Sequence, residues 1–465
     1  MDTVESIHCP LLMTRAIEAK KVSPHPLTEL MPRMRPQEYE ALKADLAENG
    51  LREEIWLYEN KIIDGRHRDQ ICHELGIRPR YRDYRGDDPV GFLKSCTLHR
   101  NLSDTQKACF AANLIDALKG RWGGNRRERI NTLLNGKSSE IAAFWVGVSS
   151  SYVEKAVRLK REAPKLFERA LADYEFTITQ ATSQMEHQAK RRHIEHLRRT
   201  ASVSLADCDL RPGDNLQVMR SMPAGAARLV FADPPYNNGW EYRADPGKDR
   251  IPDEEYLQSC RAWMGECARL LADDGSLFVL IDDRYTDHVG MLLRETGLLR
   301  RPTIICWETF ANYNSDETSL SRNARYLHWY TKTERPLINT TEPRVASDRQ
   351  EKYGDTRAAA HGRLPPNVWP LVRITSRDEE RCPWLSEKAN APQLPRELPE
   401  RCILLASNPG DLVIDPFNGN GITGIAAILN DRRYIGIDRD KKGLEQSRRW
   451  IEHQVTQLKG RRMPS

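Results

Sequence analysis

Apolar runs and amphipathic stretches alternate through the C-terminal part of the chain. None of these apolar runs is longer than seven residues, which is typical of buried strands. Strands are predicted at 228–232, 276–282, 303–307, 326–331, 412–414 and 434–437. Helical periodicity covers 254–271 and 422–429, between successive strands. This alternation predicts an α/β domain at 201–465 with a doubly wound, mostly parallel sheet.

The first 200 residues show a different pattern. Helices are predicted at 38–49 and at 68–75, where Gly76 ends the second one, and short strands at 54–58 and 61–64. From about residue 101 to residue 200 the pattern is almost wholly helical. We therefore expect a small α+β domain at 1–100 and an all-α region at 101–200.

The stretch 335–400 interrupts the α/β pattern. It is rich in proline and charge and has little periodicity. We interpret it as a long functional insertion rather than as part of the core.

Composition places the protein among globular chains that work outside a membrane. The 465 residues are 39% hydrophobic and 29% charged, and no apolar run approaches the roughly 18 residues that span a bilayer. The start shows no signal-peptide pattern. Ten cysteines are scattered without a Cys-x-x-Cys pair, which argues against a disulfide framework or a zinc site and favours the reducing cytoplasm. We expect no metal and no membrane partner.

The net charge of +5 is unevenly distributed. Residues 1–200 contain 34 Lys and Arg against 28 Asp and Glu, whereas residues 201–465 contain 37 against 38. Within 105–165 the count is 12 against 5. A local excess of this kind predicts a basic face on the N-terminal half.

A glycine-rich turn follows the strand at 412–414. Gly419, Gly421 and Gly424 precede and open a helix, so the backbone can approach a ligand closely near a helix N-terminus. Asp438 ends the next strand, where a carboxylate can accept hydrogen bonds from ribose hydroxyls. The spacing also matches a dinucleotide fingerprint, so a nicotinamide-dependent oxidoreductase stays open at this point.

A second turn, Asp233-Pro234-Pro235-Tyr236, ends the strand at 228–232. Two prolines cannot continue a central strand, so the chain leaves the sheet here. Their rigidity fixes one carboxylate, one carbonyl and one aromatic ring at the carboxyl edge, where open α/β sheets bind ligands.

The two turns together resemble the β subgroup of amino-group DNA methyltransferases, which use S-adenosylmethionine. The resemblance covers about 205–455 and includes the order of the turns. It implies catalytic roles for Asp233, Pro234, Pro235 and Tyr236. It also implies that the cofactor binds to Asp415, Phe417, Gly419, Gly421, Thr423, Asp438 and Pro395. The implied substrate is adenine N6 in double-stranded DNA, and a homodimer is an expectation of the subgroup.

Three departures accompany the resemblance. Asn420 stands where the subgroup commonly has Ser, Ile422 where it has Thr, and Gln393-Leu394 where a Lys often precedes the proline. They keep open a non-catalytic DNA-binding or partition protein. Cytosine N4 needs the same geometry as adenine N6, so a cytosine-specific enzyme is also open.

Residues 138–160 have the spacing of a helix-turn-helix. Ala143 is small where two helices would cross, and Gly147 would end the first helix with positive φ. Ser151 and Glu154 offer a capping box. Ser149, Ser150, Tyr152, Lys155 and Arg158 would face a DNA groove. An ordinary helical hairpin gives the same pattern.

The N-terminal segment, over about 20–160, resembles the ParB and sulfiredoxin-like fold followed by a helix-turn-helix. The resemblance depends on the stretch Asp-Gly-Arg-His-Arg and on a later arginine. It nominates Gly65, Arg66, His67, Arg68 and Arg100 as contacts to nucleotide phosphates. A solvated basic helix start is the plainer alternative.

Target recognition is expected in about 308–392. Candidate base contacts there are Arg322, Arg325, Arg344 and Arg349, with Arg373 and Arg377 also considered. Arg121, Arg126, Arg127 and Arg129 are candidate phosphate contacts.

Overall fold

The structure is a computed structural model. It describes residues 22–98, 102–121, 138–239, 250–308, 318, 320, 323–355, 362–372, 374, 378, 380–382 and 393–462. The chain divides into two compact units, Met1–His187 and Gln188–Ser465. The predicted division into three domains stays a prediction. No described helix has the length and apolarity needed to cross a membrane.

The first unit begins with a small α+β segment. Its strands β1 (Ile55–Tyr58), β2 (Lys61–Asp64) and β3 (Tyr81–Asp83) form a sheet in the order β2-β1-β3. Glu59 and Asn60 both have positive φ, as a two-residue hairpin turn requires. Helices α1 (Pro36–Asn49) and α2 (Arg66–Leu75) pack together around Leu46 and Ile71. The strand and helix predictions in this segment are confirmed to within two residues.

The rest of the first unit is helical in its described parts. Its helices are α3 (Pro89–Leu98), α4 (Asp104–Arg121), α5 (Ser138–Val146), α6 (Ser150–Glu162) and α7 (Pro164–Ala172), and α8 (Ile178–Ala201) continues into the second unit. Buried residues of α4, α5 and α6 form a common core that includes Phe110, Ala143 and Val153. The predicted helical character is confirmed.

The second unit is built on a nine-stranded sheet. Its strands are β4 (Cys208–Pro212), β5 (Ala227–Ala232), β6 (Leu271–Ile281), β7 (Leu299–Arg300), β8 (Ile304–Glu308), β9 (Ala324–Thr331), β10 (Val368–Leu371), β11 (Leu412–Asp415) and β12 (Arg433–Asp438). The order is β10-β8-β9-β6-β5-β11-β12-β4, and β7 pairs with β9. Only β9 breaks the parallel arrangement among the described strands of this sheet, because it runs antiparallel to its partners β6, β7 and β8.

Helices cover both faces of this sheet. They are α9 (Asn215–Arg220), α10 (Asp253–Leu270), α11 (Thr286–Glu295), α12 (Asp348–Glu351), α13 (Glu397–Ala406), α14 (Ile422–Leu429) and α15 (Lys441–Arg462). Residues of β5 alternate between two cores. Leu229 and Phe231 pack with α13 and α14, whereas Val230 and Ala232 pack with α10. The predicted doubly wound α/β architecture is confirmed.

The chain reverses its direction of winding between β5 and β11. From β5 it passes through α10 to β6 on one side, and from β11 it passes through α14 to β12 on the other. Because β5 and β11 are neighbours, a crevice opens at the carboxyl ends of these two strands. This is where open α/β sheets bind ligands.

One prediction for the second unit is wrong. The stretch 335–400 was interpreted as an insertion outside the core, but β10 pairs in parallel with β8 at the sheet edge. Trp369 and Leu371 are 2% and 1% exposed and belong to the main core. Strands β9 and β10 thus lie inside the range assigned to target recognition.

Candidate active site at the carboxyl edge of the sheet

Three aspartates lie at the ends of three neighbouring parallel strands. Asp233 directly follows β5, Asp415 ends β11 and Asp438 ends β12. Parallel strands present their carboxyl ends at one edge, so the two turns singled out in the sequence meet there. Asp415 lies close enough to Asp233 and Asp438 for both carboxylates to raise its pKa.

The glycine turn is held by its own hydrogen bonds. The amide of Gly419 donates to Asp438 Oδ2 at 2.9 Å, which ties the turn to the end of β12. Gly421 is the N-cap of α14 and has a φ of +81°. A Cβ at this position would lie 2.6 Å from Ser447 Oγ and 2.8 Å from Ile451 Cδ1. Only glycine fits here without displacing α15.

Asn418 connects the glycine turn to α15 and β12 through side-chain hydrogen bonds. Its side chain donates to Ser447 Oγ at 2.9 Å and accepts from the Tyr434 hydroxyl at 2.9 Å. Asn420, one of the departures, accepts from the Ile422 amide at 3.2 Å and so caps the start of α14. The substituted position therefore supports the turn locally.

Asp415 is a buried carboxylate with an unusual protonation equilibrium. Its Oδ1 accepts the Phe417 amide at 2.9 Å, and the hydroxyl of Thr423 also binds to the carboxylate. Burial, with smaller contributions from Asp233 and Asp438, raises the pKa of Asp415 to about 7. Burial also raises the pKa of Asp438.

The Asp-Pro-Pro-Tyr turn is fixed at both ends. The Tyr236 hydroxyl donates to Asp233 Oδ1, and the Tyr256 hydroxyl donates to the Pro235 carbonyl at 2.8 Å. Pro234 is buried. Both the carboxylate and the backbone of the turn are therefore held before any ligand arrives, which lowers the cost of binding one.

Asn237 secures the chain after the turn. It is fully buried and has a φ of +53°. Its side chain accepts from the Ile251 amide at 2.7 Å and donates to the Tyr285 hydroxyl at 2.8 Å. Tyr285 in turn donates to Asp253 Oδ1 at 2.9 Å. These contacts connect the turn to the start of α10 and to the end of β6.

Opposing effects act on the protonation of Asp233. Burial raises its pKa, while the guanidinium of Arg325 and the hydrogen bond from Tyr236 lower it. Burial and the nearby Asp233 carboxylate raise the pKa of Tyr236 well above its usual value, so the phenol stays a hydrogen-bond donor. Arg325 is the cation that faces this pair.

Two further predicted cofactor residues flank the glycine turn. The Phe417 ring meets the edge of Trp263 with centroids 5.1 Å apart, which braces it against α10. Pro395 is buried just before α13, and its carbonyl accepts the Leu398 amide at 3.1 Å. Helix α13 packs against α14, so both residues belong to the elements that surround the turn.

The predicted helix-turn-helix residues occupy two consecutive helices. Gly147 ends α5 with a φ of +70°, as expected, and Ala143, Val153 and Ala156 are buried. The predicted capping box is wrong, because α6 begins at Ser150 after an N-cap at Ser149, so Ser151 is already helical.

The five residues proposed to face DNA differ in their exposure and in their side-chain contacts. Ser149 and Arg158 are exposed, and Ser150, Tyr152 and Lys155 are half-buried. The Lys155 ammonium lies 6.0 Å from the centre of the Tyr152 ring. Arg158 forms ion pairs with Glu162 and Glu186 at 3.0 and 2.9 Å.

The N-terminal cluster is held largely by internal contacts. Gly65 is the N-cap of α2 and has a φ of +87°, a left-handed conformation that glycine adopts readily. Arg66 donates to the carbonyl of Thr28 at 2.8 Å, and Arg68 forms ion pairs with Asp64 and Glu53. The His67 ring packs edge-on against Tyr39.

Several sequence candidates lie outside the described residues. These are Arg100, Arg126, Arg127, Arg129, Arg322, Arg373 and Arg377. Of the described candidates in the recognition range, Arg344 donates to the Thr340 carbonyl at 2.9 Å and Arg349 to Asp355 at 2.6 Å. Arg325 is largely buried and lies beside the Asp-Pro-Pro-Tyr turn.

Sequence reasoning missed the residues that support the two turns. Tyr256, Tyr285 and Ser447 contact the turns from distant parts of the chain, and no local pattern marks them. Asn237 carried a signal, because it directly follows the tyrosine, but its role as a buried clamp depends on the fold.

The fold and the site together define an α/β protein with a nucleoside-type ligand site at its switch point. Residues 227–449 match the N6_N4_Mtase family model, described as "DNA methylase". This part of the chain is therefore a DNA methylase domain of the N6/N4 type, and its cofactor is S-adenosyl-L-methionine.

Relatives with assigned names agree with this assignment. The chain is 28% identical over 249 residues to the type II methyltransferase M.HinfI of Haemophilus influenzae, which covers 50% of this chain and 65% of that protein. It is 25% identical over 249 residues to the DNA adenine methyltransferase YhdJ of Escherichia coli, covering 52% and 81%.

Solved structures with similarity to the chain include two methylases. One is the cytosine-N4-specific PvuII DNA methyltransferase, with 20% identity, a TM-score of 0.42, and coverage of 55% of this chain and 92% of that one. The other is a DNA modification methylase from Thermus thermophilus complexed with S-adenosyl-L-methionine, with 22% identity, a TM-score of 0.37, and coverage of 53% and 95%.

The residues of the crevice fit this cofactor. Burial raises the pKa of Asp415 and Asp438, and neither forms an ion pair with a cation among the described residues. A ligand that carries sulfonium and ammonium charges offsets the resulting carboxylate repulsion. The glycines of the turn place no side chains between its backbone and a ligand at the start of α14.

Proposed function

We propose that the protein is a site-specific DNA methyltransferase that modifies the exocyclic N6 of adenine in double-stranded DNA. The observation that carries the proposal is the meeting of the Asp233–Tyr236 turn and the glycine turn at neighbouring strand ends. The names of the relatives support modification of the kind that accompanies type II restriction.

The turn supplies hydrogen-bond acceptors for the target amine. The lone pair of adenine N6 is delocalised into the ring, so the amine is a poor nucleophile. When the Asp233 carboxylate and the Pro234 carbonyl accept its two N–H bonds, the nitrogen is drawn towards tetrahedral geometry and its lone pair is freed. The effect is positioning plus electrostatic stabilisation, without a covalent enzyme intermediate.

The remaining roles follow from the same turn. S-adenosyl-L-methionine, held by the elements around Asp415, Gly419, Gly421 and Asp438, supplies the methyl group. The amine of a duplex base is inaccessible, so the base must leave the stack, and the Tyr236 ring provides a surface on which it can stack. Asp233, with its raised pKa, is suited to take the proton that the methylated nitrogen releases.

Adenine is favoured over cytosine by the resemblance, which associates Asp rather than Ser at position 233 with N6. The name of the YhdJ relative points the same way. Cytosine N4 is the second candidate, because an amino group on either base can use the same two acceptors.

The N-terminal half is proposed to dock on DNA. Helices α5 and α6 have helix-turn-helix spacing and lie in the basic part of the chain. The ParB-like resemblance also suggests a nucleotide site at Gly65–Arg68 and Arg100, with Arg66 and Arg68 then exchanging their internal partners for phosphate. We also propose that the protein forms a homodimer.

Asp233→Ala tests the catalytic assignment. We expect labelled methyl transfer to DNA to be abolished, because one acceptor of the amine is lost, while DNA affinity by fluorescence anisotropy stays largely intact. Asp209→Ala, which removes an exposed carboxylate from β4, is the matched control and should retain activity. Transfer by Asp233→Ala within tenfold of wild type would contradict the proposal.

Sequencing of modified bases from cells that express the protein decides the base. N6-methyladenine at one recurrent motif is the expected result. N4-methylcytosine would establish the second candidate, and unmodified DNA together with absent transfer in vitro would leave a non-catalytic DNA-binding protein.

A further inference from the structure

Arg325 is a buried cation at the active-site edge of the sheet. It lies near the start of β9, and its side chain is only 15% exposed. Its guanidinium forms an ion pair with Glu308, at the end of the neighbouring strand β8, whose side chain is 19% exposed. Burying an arginine side chain costs free energy unless its charge is paired. The burial of Arg325 therefore calls for an explanation.

The sheet register places Arg325 on the same face as the catalytic turn. In β9, Arg325 is two residues before Leu327, which packs in the core that contains Phe231. Asp233 is two residues after Phe231. Since alternate residues of a strand share a face, both charged side chains project to one side of the sheet near the carboxyl ends of β5 and β6.

The charges confirm this proximity. The Arg325 guanidinium interacts electrostatically with both Asp233 and Tyr236. In addition, its buried Nε has no hydrogen-bond partner within the part of the chain that the structure describes. Besides its ion pair with Glu308, the guanidinium forms a side-chain hydrogen bond with Tyr236 in the turn.

We propose that Arg325, oriented by Glu308, is a positioning residue that keeps the Asp233–Tyr236 pair in the form that accepts the target amine. The role rests on the proposed function of Asp233 and assigns Arg325 to catalysis instead of base recognition. Arg325 acts through the Asp233 carboxylate and the Tyr236 hydroxyl, and it need not touch the DNA.

The direction of the effect follows from the surrounding charges. The groups that face Asp233 and Arg325 are Tyr236, Asp415, Cys306 and Glu308. Arg401 acts on Cys306, but among the described residues Arg325 is the cation that acts on Asp233, whose pKa burial already raises. Loss of the guanidinium leaves only the Tyr236 hydrogen bond to oppose the effect of burial, so Asp233 holds its proton to higher pH and is less able to accept the amine N–H at neutral pH.

The test compares pH–rate profiles of Arg325→Met, Arg325→Lys and wild type. For Arg325→Met we expect the acidic limb of kcat to move upward by about one pH unit or more. Activity should fall more than tenfold at neutral pH and recover partly at high pH, with little change in KM for DNA. Arg325→Lys should restore much of the wild-type profile. Arg261→Met removes an exposed arginine that is also paired with a glutamate, Glu295, and should leave the profile unchanged.

Two outcomes overturn the proposal. One is a uniform loss of kcat by Arg325→Met at all pH values that Arg325→Lys does not rescue. The other is a change in KM or target sequence with an unshifted profile, which would make Arg325 a base contact. If Arg325→Met fails to fold, Arg325→Gln, which keeps a polar side chain without the charge, replaces it in the pH–rate profiles and in the cycle described next.

A double-mutant cycle separates this inference from the proposed function. Asp233→Asn, Arg325→Met and the double variant are compared by urea unfolding of the cofactor-free protein. The loss from Arg325→Met should be markedly smaller when Asp233 is already neutral, and additive losses would contradict the coupling. If wild type transfers no methyl group, the proposed function fails, but a non-additive cycle still shows that Arg325 compensates Asp233.

Discussion

At the scale of single residues, the site brings together carboxyl groups whose ionised form is unfavourable. Burial raises the pKa of Asp233, Asp415 and Asp438, which lie at three adjacent strand ends. The Arg325 guanidinium lowers the pKa of the first, and local hydrogen bonds lower the pKa of the other two. The cofactor-free protein thus carries electrostatic strain at the place where a cationic ligand is to bind.

Asp415→Asn should make this strain measurable. The pKa of Asp415 is about 7 in the folded chain against an ordinary value of 3.8, so the folded state keeps a proton that the unfolded chain has released. Stability present below pH 4 is therefore lost as the pH rises to 7. The variant, which cannot ionise, should gain on the order of 2–4 kcal/mol relative to wild type between pH 4 and pH 8.

Urea unfolding at both pH values measures this gain, and titration calorimetry should show weakened binding of S-adenosyl-L-methionine. Asp209→Asn, at an exposed site, is the control for general effects of charge. A stability difference between Asp415→Asn and wild type that is the same at pH 4 and pH 8 would show that Asp415 ionises normally.

At the scale of elements, the glycine turn and α14 form one unit with α15. The Gly421 backbone has a positive φ, and it lies against Ser447 and Ile451 of α15. Glycine is therefore required at position 421 for two reasons. The backbone conformation favours it, and the neighbouring helix approaches too closely for a side chain.

Gly421→Ala and Gly297→Ala separate these two requirements. Both glycines have a φ of +81°, but nothing lies within 4 Å of a Cβ at Gly297. Gly297→Ala should cost about 1–2 kcal/mol of stability from the backbone alone. Gly421→Ala should cost a further 1–3 kcal/mol or so from overpacking, and it should weaken cofactor binding.

Chemical denaturation of both variants gives the two stability losses, and calorimetry gives cofactor affinity. Equal losses at the two positions would mean that α15 moves aside without cost.

Strand β10 is an element that the sequence pattern did not predict. Its sequence, Val-Trp-Pro-Leu, contains Pro370, which argues against a strand in the middle of a sheet. The strand lies at the sheet edge, where a missing N–H is tolerated, and so its two apolar side chains are buried all the same. By contrast, β5 and β11 were predicted well because both faces of a central parallel strand are apolar.

At the scale of the whole molecule, charge and chemistry are distributed unequally along the chain. The excess of basic residues falls in 105–165, within the first unit, whereas the methylase domain at 227–449 lies in the second. We expect the first unit to supply much of the electrostatic attraction to DNA.

The salt dependence of DNA binding tests this expectation. Affinity should fall steeply and linearly on a logarithmic scale between low and moderate salt, because phosphate contacts release counterions. Lys155→Ala should lower the affinity and reduce the slope by about 0.9, the value of one phosphate contact. Lys43→Ala, whose ammonium is paired with Glu74 at 2.7 Å, should leave the slope unchanged.

Fluorescence anisotropy with a duplex over a series of salt concentrations measures the slope. A flat response of the wild-type protein would remove the basis for a DNA-binding basic face, and a normal slope for Lys155→Ala would exclude this residue from it.

The sequence by itself determined the alternation of central strands and helices in the second unit and the two turns that carry chemistry. It could do so because strand burial, helix periodicity and the conformational limits of proline and glycine are local properties. The tertiary structure decided that the turns meet, since their distance depends on strand order. It alone identified Tyr256, Asn237 and Ser447 as supports and placed Arg325 beside Asp233, because burial and charge neighbours arise only when distant segments pack together.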